Sequence, residues 1–153
     1  MQQFLYLVAA FGVGALVSTY LTVNSLVAEK VGSPVQASLP YFLLALSVTL
    51  AVFLLRDAPS SLNKFSEVPW WALLTGIGGA AAVLLSNYLI EEIGPDRYFV
   101  AGVAGQVIVS VTLAHFAWLG VEENAINWQK VVGVLLSIGG VLLVALGNAA
   151  SAK

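Results

Sequence analysis

Apolar residues run almost unbroken through five stretches of the chain, and short polar segments separate them. The stretches lie at about Phe4 to Ala28, Pro34 to Leu55, Pro69 to Ile90, Tyr98 to Leu119 and Trp128 to Gly147. Each is long enough to cross a hydrocarbon core, which takes roughly 20 helical residues at about 1.5 Å of rise each. The pattern predicts an all-α polytopic membrane protein, with residues 1–153 forming one five-helix domain. The prolines agree with it. Ser33 and Pro34 read as a cap and first-turn pair, and Pro69 opens the third span. Pro59 lies in a loop and Pro95 follows Gly94 at a chain break. Only Pro40 falls inside a span, near its start, where proline can kink a helix. The loops are short, so successive helices are expected to be antiparallel neighbours.

Composition sharpens this reading. The 153 residues are 59% hydrophobic and 9% charged, against about 25% charged in soluble domains. There is no cysteine, which excludes a disulfide scaffold and thiolate metal sites. The net charge of −2 offers no basic face for nucleic acid. Nothing in the pattern asks for a metal or a cofactor. Met1-Gln2-Gln3 lacks the positive segment of a signal peptide, so the first apolar run is expected to remain as a span.

An odd number of spans puts the termini on opposite sides of the bilayer. The N-terminal side then carries Arg56, Lys64 and Lys130, and the other side Lys30, Arg97 and Lys153. The acids balance as well: Asp57, Glu67, Glu122 and Glu123 oppose Glu29, Glu91, Glu92 and Asp96. Lys/Arg bias orients membrane proteins, and here there is none. Either one dominant loop or a partner sets the orientation, or copies insert both ways and pair as an antiparallel dimer. Trp70, Trp71, Trp118 and Trp128 all flank loops on the N-terminal side, and Tyr41, Tyr88 and Tyr98 sit near the other. Both sets fit interfacial aromatic belts.

Small residues mark packing faces. Ala10, Gly14, Ser18 and Thr22 recur along the first span, and Gly133 and Gly140 form a narrow stripe on the fifth. Gly102 and Gly105 flank the middle of the fourth. Such stripes allow helices to approach closely, within a chain or between chains.

No Asp, Glu, Lys or Arg lies centrally in any span, so a midplane carboxylate relay is not expected. Uncharged polar groups remain. Gln106 and Tyr20 lie near the midplane, each roughly 12–13 Å from the second boundary, while Asn24, Asn87 and Tyr88 fall within about 6 Å of it. Tyr20 and Asn24 share a helix face, as do Gln106 and Ser110. In lipid these groups must find partners. Either they bond one another and fix helix register, or Tyr20, Asn24, Gln106 and Ser110 bind a substrate. Asn87 and Tyr88 read as interfacial. His115, the one histidine, reads as a hydrogen-bonded structural residue in preference to a proton relay, and Glu91-Glu92 as a solvated boundary in preference to a vestibule attracting cations. No nucleophile stands beside a base, so an intramembrane enzyme is not expected.

Val68-Pro69-Trp70-Trp71, Ala104-Gly105-Gln106 and His115-Phe116, in five short spans, resemble the YdcZ-like family. That is a bacterial family of five-helix members of the drug/metabolite transporter superfamily. Asn24 matches its Asn at the end of the first helix, and Gly94 its Gly between helices three and four. The chain departs from the pattern at Tyr20 (usually Gln), Ala45 (usually Gly), Ala114 (usually Asp) and Ala117 (usually Gly). The resemblance implies half of a ten-helix inverted-repeat transporter in the bacterial inner membrane, completed by a second copy or by a paralogous five-helix subunit. Substrate, a small polar or aromatic metabolite, would sit at the midplane between the halves. The Gly133/Gly140 stripe is similar to the dimer-contact helix of small multidrug resistance proteins. Those proteins use a membrane-embedded Glu in the first helix that this chain lacks, so drug/proton antiport is not implied.

Overall fold

The computed structural model describes residues 1–57 and 59–151, with the side chains of 59–61 and 148–151 left aside. Five long helices follow one another: α1 (Gln2–Val31), α2 (Pro34–Arg56), α3 (Thr75–Ile93), α4 (Pro95–His115) and α5 (Trp128–Ser151). All five predicted spans are therefore present, and each is apolar enough to cross a membrane. Lys153, counted above in the charge balance, lies outside the described residues.

Local chemistry sets the helix ends. Gly32 closes α1 in the left-handed region at φ 72°, where glycine carries no Cβ penalty. Ser33 then caps α2, its Oγ accepting from the Gln36 N–H at 3.3 Å. Pro34 opens α2 as the sequence predicts, and the helix runs through Pro40 without a break. The third span begins differently from expectation. Pro69 is followed by a 3₁₀ turn, Trp70–Leu74, and only from Thr75 is the helix α-helical.

The fourth helix is displaced from its expected Tyr98–Leu119 range by about one turn. It starts at Pro95, because Gly94 (φ 83°) breaks the chain and Pro95 fits the first helical position. It ends at His115, because Ala117 (φ 50°) and Leu119 (φ 60°) are left-handed and cannot continue a right-handed helix.

The chain divides into two compact units, Met1–Glu92 and Ile93–Lys153. In the first, α1 packs closely along α2; in the second, α4 packs along α5. Few side chains are enclosed. Leu21, Ala28, Ala37, Ile90 and Ala104 are the buried apolar residues described, while large apolar side chains remain exposed on every helix. A water-soluble protein does not leave such area uncovered. Here lipid is the cover.

Candidate functional site

In the first unit, three helices meet through polar side chains. Asn24 on α1 donates from Nδ2 to Asn87 Oδ1 on α3 at 3.1 Å and reaches Ser38 Oγ on α2 at 3.4 Å. Asn87 Nδ2 donates to the same Ser38 Oγ at 3.0 Å. The Ser38 hydroxyl donates in turn to the Pro34 carbonyl at 2.8 Å. Ser25 Oγ donates to the Asn87 carbonyl at 3.1 Å. Asn24, Ser25, Ser38 and Asn87 are all buried, and Asn87 is fully so.

Asn87 is thus not interfacial, as its position in the sequence suggested. The helix continues three residues beyond the expected Ile90, to Ile93. That sets Asn87 about 9 Å from the helix end instead of about 4.5 Å. It stands at the level of Asn24 and is consumed by the polar knot.

The knot fixes the amide orientations. The Ser38 hydrogen goes to a backbone carbonyl, so Ser38 Oγ is left as an acceptor for both Asn amide groups. Asn24 must present Nδ2 to Ser38 and Asn87. Its Oδ1 is left with no donor among the described residues.

Next to this knot, α1 and α2 border an open groove of about 780 Å³, whose lining includes Tyr20, Asn24, Pro40, Tyr41 and Leu44. Tyr20 and Tyr41 stack across it, ring centroids 5.3 Å apart at 17°. Two rungs are visible. Asn24 faces Ser38, and four residues along α1 Tyr20 faces Tyr41, three along α2. The structure therefore brings Tyr20 and Asn24 to one groove. Reading the sequence assigned Tyr41 to an interfacial belt. The tight Gly32-Ser33 turn, which forces α2 back along α1, was the available signal.

Gln106 and Ser110 belong to the second unit. Gln106 is the twelfth residue of the 21-residue α4, one past its midpoint, exposed, and without a hydrogen bond among the described residues. Ser110 is exposed, and its hydroxyl donates back to the Val107 carbonyl at 3.0 Å. A Cβ added at Gly102, Gly105, Gly133 or Gly140 would meet nothing within 4 Å. None of these glycines serves a close approach inside its unit. Gly140 does line, with Ala104 and Ser137, a smaller apolar recess of about 310 Å³ between α4 and α5.

At the end of α4, His115 Nδ1 accepts from the Ile126 N–H at 3.3 Å. Asn124 N–H donates to the Ala114 carbonyl at 2.8 Å. Lys130 Nζ donates to Asn124 O and Oδ1, both at 2.7 Å, and to Ala125 O at 2.8 Å. These bonds tie the 116–127 loop to the ends of α4 and α5. No group of three or more His, Cys, Asp or Glu able to hold a metal occurs among the described residues.

A family model described as "Putative inner membrane exporter, YdcZ" matches residues 5–143. The chain belongs to this family. The curated proteins and the solved structures gave no match. As a YdcZ-family member with five helices able to span a bilayer, the chain is a multi-pass inner membrane protein, and its family's description supports a transporter. Two residues tied to the family resemblance have clear structural work. Gly94 adopts a φ that favours glycine. Asn24 is the hub of the three-helix knot.

Proposed function

We propose that the chain is a secondary transporter of the drug/metabolite transporter superfamily that works as an antiparallel, dual-topology homodimer. It is one five-helix half of a ten-helix assembly, with both units acting as a single domain. It moves a small polar or aromatic metabolite by alternating access. Tyr20, Asn24, Gln106 and Ser110 contribute to the substrate path, and Gly102, Gly105, Gly133 and Gly140 to helix contacts.

Gln106 carries this reading. A mid-helix amide inside a bilayer cannot stay unbonded without a cost of several kcal/mol. Gln106 has no partner among the described residues of its own chain, so its partner comes from elsewhere: a second copy, water in a pathway, or substrate. The even distribution of Lys and Arg supports opposite insertion of two copies. The open glycine faces of α5 support a close contact between them. With no ionised side chain central in any span, rocking of two inverted halves about a neutral midplane site is the mechanism that fits.

Paired reporters fused after Lys153, one active only in the cytoplasm and one only outside it, test the arrangement. Comparable activity from both is expected. Activity from one alone removes the dual-topology homodimer and leaves a transporter completed by a different, oppositely oriented five-helix subunit.

A further inference from the structure

The groove between α1 and α2 has a feature that packing does not explain. Asn24 is only 7% exposed; its two N–H donors go to Ser38 Oγ and Asn87 Oδ1, and its Oδ1 accepts no hydrogen bond among the described residues. Asn24 lines the groove. A structural amide in a low-dielectric setting is normally satisfied at both ends. The knot instead holds this amide rigidly, with one acceptor left over at the groove.

The other walls define what could use it. Tyr20 and Tyr41 supply a near-parallel aromatic pair one helical turn away from Asn24. The remaining lining is aliphatic or Pro, apart from Thr19, and no charged side chain among the described residues borders the groove. Thr19 spends its hydroxyl on the Ala15 carbonyl at 2.9 Å. A volume of about 780 Å³ is within the range of sites for small organic molecules.

We infer that the α1–α2 groove binds an uncharged planar aromatic molecule bearing an N–H or O–H donor, with the donor on Asn24 Oδ1 and the ring against the Tyr20–Tyr41 pair. This narrows the substrate class and rests on the reading that Tyr20 and Asn24 belong to the substrate path. An amide oxygen held without a donor selects for one. The absence of a counter-charge in the lining disfavours an ion, whose desolvation nothing there would offset. Stacking surfaces favour a flat ring over an acyl chain. A lipid tail could fill the space but would leave Asn24 Oδ1 unbonded.

The test uses fluorine NMR on the full chain in lipid nanodiscs, with empty nanodiscs as the partition control. The probes are 5-fluoroindole, which is planar, neutral and carries one N–H, and its N-methyl derivative, which keeps the ring and loses the donor. Saturable binding of 5-fluoroindole is expected, weakened about tenfold or more by N-methylation, since a polar site rejects an analogue that leaves it unpaired. Tyr41→Leu, which leaves the knot intact, is expected to weaken both probes by about fivefold to tenfold, the worth of an aromatic contact. Asn24→Ala is expected to erase the difference between the probes.

Equal binding of the two probes would overturn the inference. So would no saturable signal above empty nanodiscs, which would mean lipid or a second copy fills the groove. Tyr41→Leu without effect would place the binding elsewhere and overturn it as well. Proteoliposome flux separates this from the transporter reading. Donor-selective binding with no flux of any tested compound would leave the groove standing and remove its place on a substrate path. Flux without donor selectivity would do the reverse.

Discussion

Asn24 Nδ2 and Asn87 Oδ1 meet at 3.1 Å across 63 residues of sequence, and with Ser38 they join α1, α2 and α3. Close backbone packing links α1 with α2, but α3 has no comparably close helix partner among the described residues. The polar knot is therefore the main fastening of α3 to its unit. Removing Asn87 leaves Asn24 and Ser38 short of partners. Asn87→Ala is expected to destabilise the first unit by about 1–2 kcal/mol, at the upper end for interhelical bonds in membranes. Reversible unfolding in mixed micelles measures this. A double-mutant cycle with Asn24→Ala should give a coupling of about 0.6–1.7 kcal/mol. Additive losses would mean the two amides do not act together.

The knot also shows where the sequence was legible and where it was not. Five long apolar runs dictate five helices, and the Ser33-Pro34 and Gly94-Pro95 pairs mark two boundaries directly. Asn24 was recognisable as a polar residue needing a partner. Its actual partner was not recognisable, because Asn87 joins it only through the register of α3, and three residues at the end of that helix decide its depth. Tyr41 was missed for a related reason. Near a helix end, a tyrosine of the interfacial belt and a tyrosine stacked on a neighbouring helix look alike. The left-handed end of α4 was invisible because Ala117 and Leu119 are ordinary helix formers, and only the loop's tertiary bonds hold them out of the helix.

Ala117 carries a cost that can be relieved. It sits at φ 50°, a conformation that costs an L-residue roughly 1–2 kcal/mol relative to its right-handed form. Glycine removes that cost but gains unfolded-state freedom worth about 0.5–1 kcal/mol. Ala117→Gly is thus expected to stabilise the protein by about 0.5–1 kcal/mol, raising its unfolding temperature in detergent. The family commonly has Gly here, as the resemblance indicated. No change in unfolding temperature would mean the loop relaxes around the alanine.

Gly94 is the opposite case. Its φ is 83°, and an added Cβ would lie 2.9 Å from Asp96 Oδ1. Gly94→Ala strains the backbone and displaces the carboxylate from the first turn of α4, where a negative charge favours the helix dipole. A loss of about 1–2 kcal/mol is expected, read as a lower unfolding temperature. An unchanged temperature would show that the link between α3 and α4 tolerates a different backbone path.

Gln106 offers the sharpest separation of stability from function. It is exposed on α4 and bonds nothing among the described residues, so its replacement removes no interaction with them. Gln106→Ala should leave helix content and monomer stability within about 0.5 kcal/mol of the parent, as for surface substitutions away from special features. If the amide lines the substrate path, flux in proteoliposomes should fall at least about tenfold while crosslinking still captures the dimer. A parallel variant, Gly133→Leu, places a bulky side chain at an exposed position where a Cβ meets nothing within 4 Å. It should preserve the monomer and reduce the crosslinked dimer. Loss of flux in both variants, with loss of dimer only in Gly133→Leu, assigns Gln106 to the path and α5 to the contact. If Gln106→Ala dissolves the dimer instead, the amide is an intersubunit hydrogen bond, and the substrate path must be sought on other residues.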